Sequence, residues 1–281
     1  LPRSRSLPRE AVVPTLQLRL VTLTLALPGG PAELAPAAAQ DQPTTKAADK
    51  APSVDEIVDR TNYVSYYQGR DGRAQVRMTI VDAQDRKRNR EFTILRRDSQ
   101  PEADLPEDAT EAEKKQARRE ADRSFTGEQK FYVYFHRPAD VNKMVFLVHK
   151  HLKKDDDRWL YLPALDLVKR IAATDKRTSF VGSHFFYEDV SGRNVDLDKH
   201  ELVETSENYY VLRNTPKDPD NVEFAYYKMW IHRDSFVVVQ ISYYDKRGKE
   251  YRRYNALRVE DVQGFPTVMK SRMTDLTDKS Y

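Results

Sequence analysis

The sequence predicts a mainly β protein with a few helices. Two observations lead to this prediction. After residue 70, most of the chain consists of short runs rich in Val, Ile, Tyr and Phe, separated by polar, Gly- or Pro-containing turns. A segment near residue 55 instead carries apolar residues at helical spacing. A meander of strands with this rhythm is typical of a sandwich, a barrel or a large curved antiparallel sheet.

Composition excludes several classes of function. A chain of 281 residues suggests one large domain or two small ones. The 32% of charged residues and the count of only 9 glycines argue against a fibrous repeat, a Gly-rich nucleotide-binding fold and a polytopic membrane protein. Its net charge of +3 provides no strong basic field, so we expect no nucleic-acid partner. The absence of cysteine excludes disulfides, thiolate metal sites and attachment of lipid through Cys.

The N-terminal segment resembles an export signal. Three arginines precede the apolar run Leu16–Leu27, which is followed by Pro28 and the small-residue stretch Ala37–Ala39. The run is shorter than the roughly 20 residues needed to span a bilayer, and Arg19 interrupts it. We therefore predict a signal peptide at residues 1–39 and an unlipidated periplasmic protein. A disordered Pro/Ala-rich leader is the alternative.

A flexible linker is predicted at residues 40–52, followed by a domain over residues 53–281. Ser53 and Glu56 have capping-box spacing, so a short amphipathic helix is expected from Ser53 to Tyr63. A β-hairpin follows, with alternating apolar residues at 76–80 and a second strand at Glu91–Arg97.

Residues 98–123 interrupt the strand pattern. They contain almost no large apolar residue and mix both charge signs, so they are predicted to form an exposed insertion, with a solvated helix possible from Asp108 onward. Residues 185–189 and 196–202 give weaker signals, which we interpret as short helix. The remaining strands are predicted at Phe131–His136, Met144–Lys150, Arg158–Leu162, Tyr209–Arg213, Glu223–His232, Phe236–Tyr244, Glu250–Val259 and Thr267–Asp275.

No catalytic motif stands out, so the protein is not expected to be an enzyme or to need a cofactor. His149 and His151 share a face of a predicted strand near Asp155–Asp157, which is one possible metal site. Lysines crowd this place and no third ligand has suitable spacing, so no metal is expected.

The aromatic strands are more informative. Those at Phe131–Phe135 and Met144–Val148 are apolar on both faces, whereas a half-covered sheet normally alternates apolar and polar residues. The second face must join another layer or line a hydrophobic hollow. The alternative is that both faces are simply core.

The middle of the chain resembles a known family. The residues that carry the resemblance, in order, are Pro138–Val141, Asp157–Leu165, Val168–Ile171, Ser179–Ser183 and Phe186–Asp189. This series is similar to the outer-membrane lipoprotein-sorting proteins, the LolA-like periplasmic carriers. The resemblance implies a curved, unclosed antiparallel sheet (a half-barrel) wrapped around helices, with an apolar cavity for acyl chains.

The resemblance also gives expected site residues. The expected acyl-chain contacts are Phe131, Val133, Phe135, Met144, Phe146, Val148, Trp159, Tyr161 and Trp230. A register error of one residue would point these side chains away from the cavity. Lys169 and Arg170 are expected to meet a headgroup at the mouth, although solvated strand-end charges are the alternative. Residues 180–186 are the expected lid, with Phe180 and Phe186 at its ends and Gly182 as its pivot.

We therefore expect a monomeric periplasmic carrier of lipid or lipoprotein cargo, with an inner-membrane exporter and an outer-membrane acceptor as partners. The alternative is a lipid- or envelope-sensing module that regulates a membrane partner. A hydrolase on a similar scaffold is a third, weaker reading.

Overall fold

The computed structural model describes residues 51–99, 108–114, 116 and 127–281. The predicted signal peptide and the linker up to residue 50 lie outside the described residues and stay predictions. None of the helices in these ranges is long and apolar enough to span a bilayer. Within the charged insertion, the described residues 108–114 are mostly exposed, and Thr110 caps a helical turn by accepting from the backbone N–H of Glu113 at 3.3 Å.

The predicted N-terminal helix is confirmed as α1, Val54–Asn62, which continues as a π-helical turn over Tyr63–Tyr67. The Ser53 hydroxyl accepts a hydrogen bond from the N–H of Glu56 at 3.1 Å and thereby starts the helix. Ile57 and Val58 are buried on one side of α1. They pack against sheet 2, described below, which fixes the helix on the inner side of the fold.

In the described part of the chain, twelve strands form two six-stranded antiparallel sheets. In sheet 1 the strands follow sequence order, and each pairs with the next. They are β1 (Asp71–Val81), β2 (Lys87–Asp98), β3 (Gln129–Arg137), β4 (Val145–Lys150), β5 (Asp157–Leu162) and β6 (Leu167–Ile171). The inner face is apolar because Phe92 pairs with Phe135, and Val133 pairs with Phe146, across the ladder.

Sheet 2 is built in the same way from the second half of the chain. Its strands are β7 (Asp198–Thr205), β8 (Tyr209–Pro216), β9 (Tyr226–His232), β10 (Val238–Tyr244), β11 (Glu250–Val262) and β12 (Phe265–Asp275). Its inner face includes Leu212, which pairs with Met229, and Ile241, which also pairs with Met229. The last residue, Tyr281, exchanges main-chain hydrogen bonds with Val81 at the end of β1, so the two sheets meet there.

The connection between the sheets carries the only short α-helix described in residues 127–281, α2 (Tyr187–Ser191). Before it, residues 180–186 form a tight loop closed by the N–H of Phe180, which donates to the oxygen of Phe185 at 2.7 Å. Single 3₁₀ turns lie at Pro163–Leu165, Ala173–Asp175, Val195–Leu197 and Pro219–Asn221.

The predicted open, mainly β architecture is confirmed, with its strands divided between two sheets. Two local predictions need correction. Residues 196–202 were expected to be helical, but β7 covers most of them because they pair with β8 along the sheet edge. The edge strand β6 was not predicted at all, since four of its five residues are exposed and show no burial pattern.

Candidate functional site

A cavity of about 880 Å³ lies between the two sheets, α1 and the loop that precedes α2. Its volume falls within the roughly 300–1,000 Å³ that is typical of small-molecule sites. Its apolar wall comes from every one of these elements. The main apolar lining residues are Val58 and Val64 near α1, Ile94 and Phe131 of sheet 1, Phe185 of the loop, and Leu212, Met229, Ile241 and Met273 of sheet 2.

The expected acyl contacts on β3 and β4 lie together on the inner face of sheet 1. Phe131, Val133, Phe135, Met144, Phe146 and Val148 are all buried in one cluster. Of the six, Phe131 alone lines the cavity, whereas the other five share a buried cluster with Phe180 of the loop and Tyr187 of α2. The structure therefore places all six side chains on one face, and most of this face is filled by the protein itself.

The expected lid covers that face. Phe180 is 3% exposed, and its ring lies 5.4 Å from that of Phe146 and 5.9 Å from that of Phe135, measured between centroids. Gly182 has a φ of +78°, a left-handed conformation that glycine adopts without strain. The loop therefore packs on the inner face of sheet 1 and covers Phe135 and Phe146.

Three expected contacts point elsewhere. Trp159 and Tyr161 of β5 pair with Leu147 and Val145, on the outer face of sheet 1. Trp230 of β9 alternates with the cavity-lining Met229, so it lies on the outer face of sheet 2. The structure does not bring these three side chains to the cavity, because successive residues of a strand face opposite ways.

The expected headgroup residues lie at the edge of sheet 1. Lys169 and Arg170 belong to β6 and are exposed, and neither lines the 880 Å³ cavity. Arg170 forms an ion pair with Asp157 on the outer face. Both are exposed charges of an edge strand and lie away from this cavity.

Most of the charged side chains that line the cavity are largely buried and paired, whereas Asp71 and Arg73, at the start of β1, are exposed. Arg96 donates to the main-chain oxygens of Tyr66, Gln68 and Gly69, and so satisfies carbonyls at the end of the helical segment. Burial lowers the pKa of the Arg96 guanidinium. The guanidinium therefore binds main-chain oxygens of the protein itself.

A second group of charges lies where the loop, α2 and sheet 2 meet. Arg177 binds Glu188 at 2.9 Å and also pairs with Glu223. Burial lowers the pKa of Arg177, but the hydrogen bond and charge of Glu223, with the charge of Glu188, outweigh it and hold that pKa above its ordinary value. Arg193 binds Asp198 at 2.9 Å.

The possible histidine metal site takes a different form. His151 lies between two carboxylates, 3.0 Å from Glu128 and 3.0 Å from Asp157, and His149 packs edge-on against Trp159. Within the described ranges, no group of three or more His, Asp or Glu side chains is arranged to hold a metal ion. His151 is thus held by hydrogen bonds to two carboxylates.

Sequence reasoning missed the wall contributed by sheet 2 and α1. The signal was present, because Met229 and Ile231 alternate with Trp230 while Ile57 and Val58 form an apolar stripe on the helix. The prediction selected Trp230, the largest aromatic side chain of β9, and not Met229 and Ile231, which face the apolar side of α1. It also missed Thr61 and Asn214, two polar residues of the cavity wall.

The chain is similar to proteins of a known family. The model of a family described as "Uncharacterized protein"-like matches residues 127–281, which is more than half of the chain. The chain belongs to this family. No curated protein matches it.

Three solved structures share the fold. A DUF1329 family protein from Desulfovibrio piger is 26% identical, with a TM-score of 0.64 over 80% of this chain and 85% of that one. A domain assigned as an outer-membrane lipoprotein-sorting protein from Vibrio parahaemolyticus is 23% identical, with a TM-score of 0.63 over 80% and 86%. A LolA superfamily protein from Nitrosomonas europaea is 14% identical, with a TM-score of 0.54 over 80% and 87%. The resemblance indicated by the sequence is therefore confirmed, and for the last two structures it is a likeness of fold.

Proposed function

We propose that this protein is a non-enzymatic carrier that binds acyl chains of lipids or lipoproteins and moves them across the periplasm toward the outer membrane. The observation that carries the proposal is the cavity of about 880 Å³ with an apolar wall built from both sheets and α1. The fold it shares with a lipoprotein-sorting domain and a LolA superfamily protein supports the same function.

The energetics of the cargo explain why a cavity is sufficient. Moving an acyl chain into water costs about 0.8 kcal/mol per CH₂, so a chain of about sixteen carbons carries on the order of 12 kcal/mol. Such a chain does not cross an aqueous compartment alone. A concave apolar wall offsets this cost without any chemical step, and the methionines Met229 and Met273 adapt to chains of different shape.

The role of the cavity in acyl-chain binding can be tested with a substitution that fills it. Ile241 of β10 lines the cavity, while the preceding residue Gln240 faces the other side of sheet 2. In the delipidated full chain, Ile241→Trp is expected to weaken binding of a fluorescent fatty-acyl probe at least tenfold. Gln240→Trp places the same indole side chain on the opposite face and is expected to leave that binding unchanged.

Binding and transport need separate measurements. Native mass spectrometry of protein purified from the periplasm is expected to show one acylated molecule per chain. Transfer of acyl cargo between two vesicle populations then distinguishes the carrier from the sensing module, which would bind without accelerating transfer. Failure of the wild-type protein to bind any acyl probe would overturn both.

A further inference from the structure

The cavity wall provides little charge for a ligand to use. Arg177, Arg193 and Asp189 are each paired with a partner of opposite charge, and Arg96 binds main-chain oxygens. The other charged lining residues, Asp71 and Arg73, are exposed at the start of β1. An ionised group placed inside would have to displace an existing partner, so the interior favours an uncharged ligand group.

Asn214 is a polar residue of β8 on the inner face of sheet 2 and is 1% exposed. Its amide oxygen lies 2.6 Å from Nδ1 of His200, whose Nε2 lies 2.9 Å from the oxygen of Val195. The amide nitrogen Nδ2 is buried and has no partner among the described residues. Turning the amide exchanges the two atoms, but one of them still lacks a partner.

Thr61 of α1 gives the cavity wall a second buried polar atom of this kind. Its side chain lines the cavity, the residue is 4% exposed, and its hydroxyl has no partner in the described part of the chain. Other buried polar atoms without a partner belong to residues that do not line the cavity. Such atoms cost free energy in a folded protein unless a ligand or water satisfies them.

We infer that Thr61 and Asn214 form a polar subsite within the acyl-chain cavity, which binds an uncharged hydrogen-bonding group such as the ester or amide linkage of an acyl chain. The inference rests on the proposed function and narrows its ligand class. It distinguishes acyl esters and amides from free hydrocarbon, which offers no hydrogen bond, and from ionised fatty acid, whose charge has no unpaired partner in the interior.

The test compares three probes with similar chains on the delipidated full-length protein: oleamide, 1-octadecene and oleate. Each competes with a fluorescent acyl probe at pH 8. Oleamide is expected to bind about tenfold more tightly than octadecene, which corresponds to about 1.4 kcal/mol. Thr61→Val is expected to reduce oleamide affinity three- to tenfold and to leave octadecene affinity unchanged, and Asn214→Leu is expected to act in the same direction.

Two controls separate binding from folding. Thr215→Val makes the same change on the outer face of sheet 2 and is expected to leave both affinities unchanged. Because the Thr61 hydroxyl has no partner among the described residues, Thr61→Val is expected to keep or raise the melting temperature of the ligand-free chain. Equal binding of oleamide and octadecene, or an equal loss of both in Thr61→Val, would overturn the subsite alone. If none of the three probes binds, the proposed function fails as well.

Discussion

Nη2 of Arg252 donates a hydrogen bond to the main-chain oxygen of His184 at 2.8 Å. Arg252 lies on β11 and is 3% exposed, and it also pairs with Asp189 and covers the ring of Phe186 at 3.9 Å. His184 belongs to the loop 180–186, in which Phe180 packs on the inner face of sheet 1. Arg252 of sheet 2 therefore anchors the loop 180–186, which packs on the inner face of sheet 1.

Replacing this arginine is expected to loosen the loop. Arg252→Met leaves the half-buried carboxylate of Asp189 without its positively charged partner, so the free energy of unfolding should fall by about 3 kcal/mol. Hydrogen exchange of residues 180–186 should accelerate together with this loss. The matched control is Arg253→Met, which removes a more exposed pair with Glu250 and should cost less than about 1 kcal/mol. Equal effects of the two variants would contradict the anchoring role.

Phe180 is expected to be among the most costly residues to truncate. Its ring contacts Phe92, Phe135 and Phe146 in the core of sheet 1, so Phe180→Ala should lower the free energy of unfolding by about 3–5 kcal/mol. Phe265→Ala makes the same change at a side chain that is 36% exposed and should cost no more than about 1 kcal/mol. Urea denaturation measures both, and a small loss at Phe180 would mean that the loop is not packed as described.

Gly192 cannot carry a side chain. Its φ is +78°, and an added Cβ would lie 2.6 Å from Cε2 of Tyr66. Gly192→Ala is therefore expected to cost at least about 3 kcal/mol, from backbone strain and the clash together. Gly248→Ala has a similar φ of +75° with open space around the new Cβ, so its cost should be about 1–2 kcal/mol. Thermal unfolding of the pair isolates the contribution of the Tyr66 contact.

Lys150 is expected to make stability depend on pH. Its ammonium donates to the oxygen of Ser191 at 2.7 Å, and burial lowers its pKa from 10.5 to about 8, despite the nearby carboxylates of Asp156 and Glu188. Between pH 8 and 10.5 the unfolded chain binds more protons at this lysine than the native protein does. The free energy of unfolding should therefore rise with pH across this window, by up to about 3 kcal/mol.

The rise in the free energy of unfolding should end near pH 10, where the titration of buried tyrosines lowers it. Burial raises the pKa of Tyr66 and Tyr227, so above pH 10 the native state retains protons that the unfolded state loses. Chemical denaturation at pH 7, 8, 9 and 9.5 measures the slope. Lys150→Met is expected to remove it, whereas Lys130→Met, at an exposed position of β3, should retain it. A slope that survives in Lys150→Met would assign the effect to another group.

Much of the fold could be predicted because its signals are local. The Ser53 cap and the apolar stripe define α1, and alternating side chains define most strands of both sheets. The failures share one cause. Strands β6 and β7 lie at open sheet edges, where many side chains are exposed and the sequence shows no alternation.

The site was harder to predict because it depends on which face of a strand is covered. For β3 and β4, the choice of Phe131, Val133 and Phe146 identified the inner face, since both strands pack under the same loop. For β9, the bulk of Trp230 favoured the wrong face, because a large aromatic side chain is also stable on an outer surface among Val211 and Gln240.

The sequence by itself determined the strand content, the amphipathic helix and the family resemblance, because each is carried by neighbouring residues or by a short run of them. Only the tertiary structure decided that Phe180 packs on the inner face of sheet 1 and that the cavity between the sheets is lined more by sheet 2 than by sheet 1. It also decided that Thr61 and Asn214 line this cavity with polar atoms that have no partner among the described residues. The physical reason is that alternation fixes which residues share a face. What packs against that face depends on contacts between segments far apart in the chain.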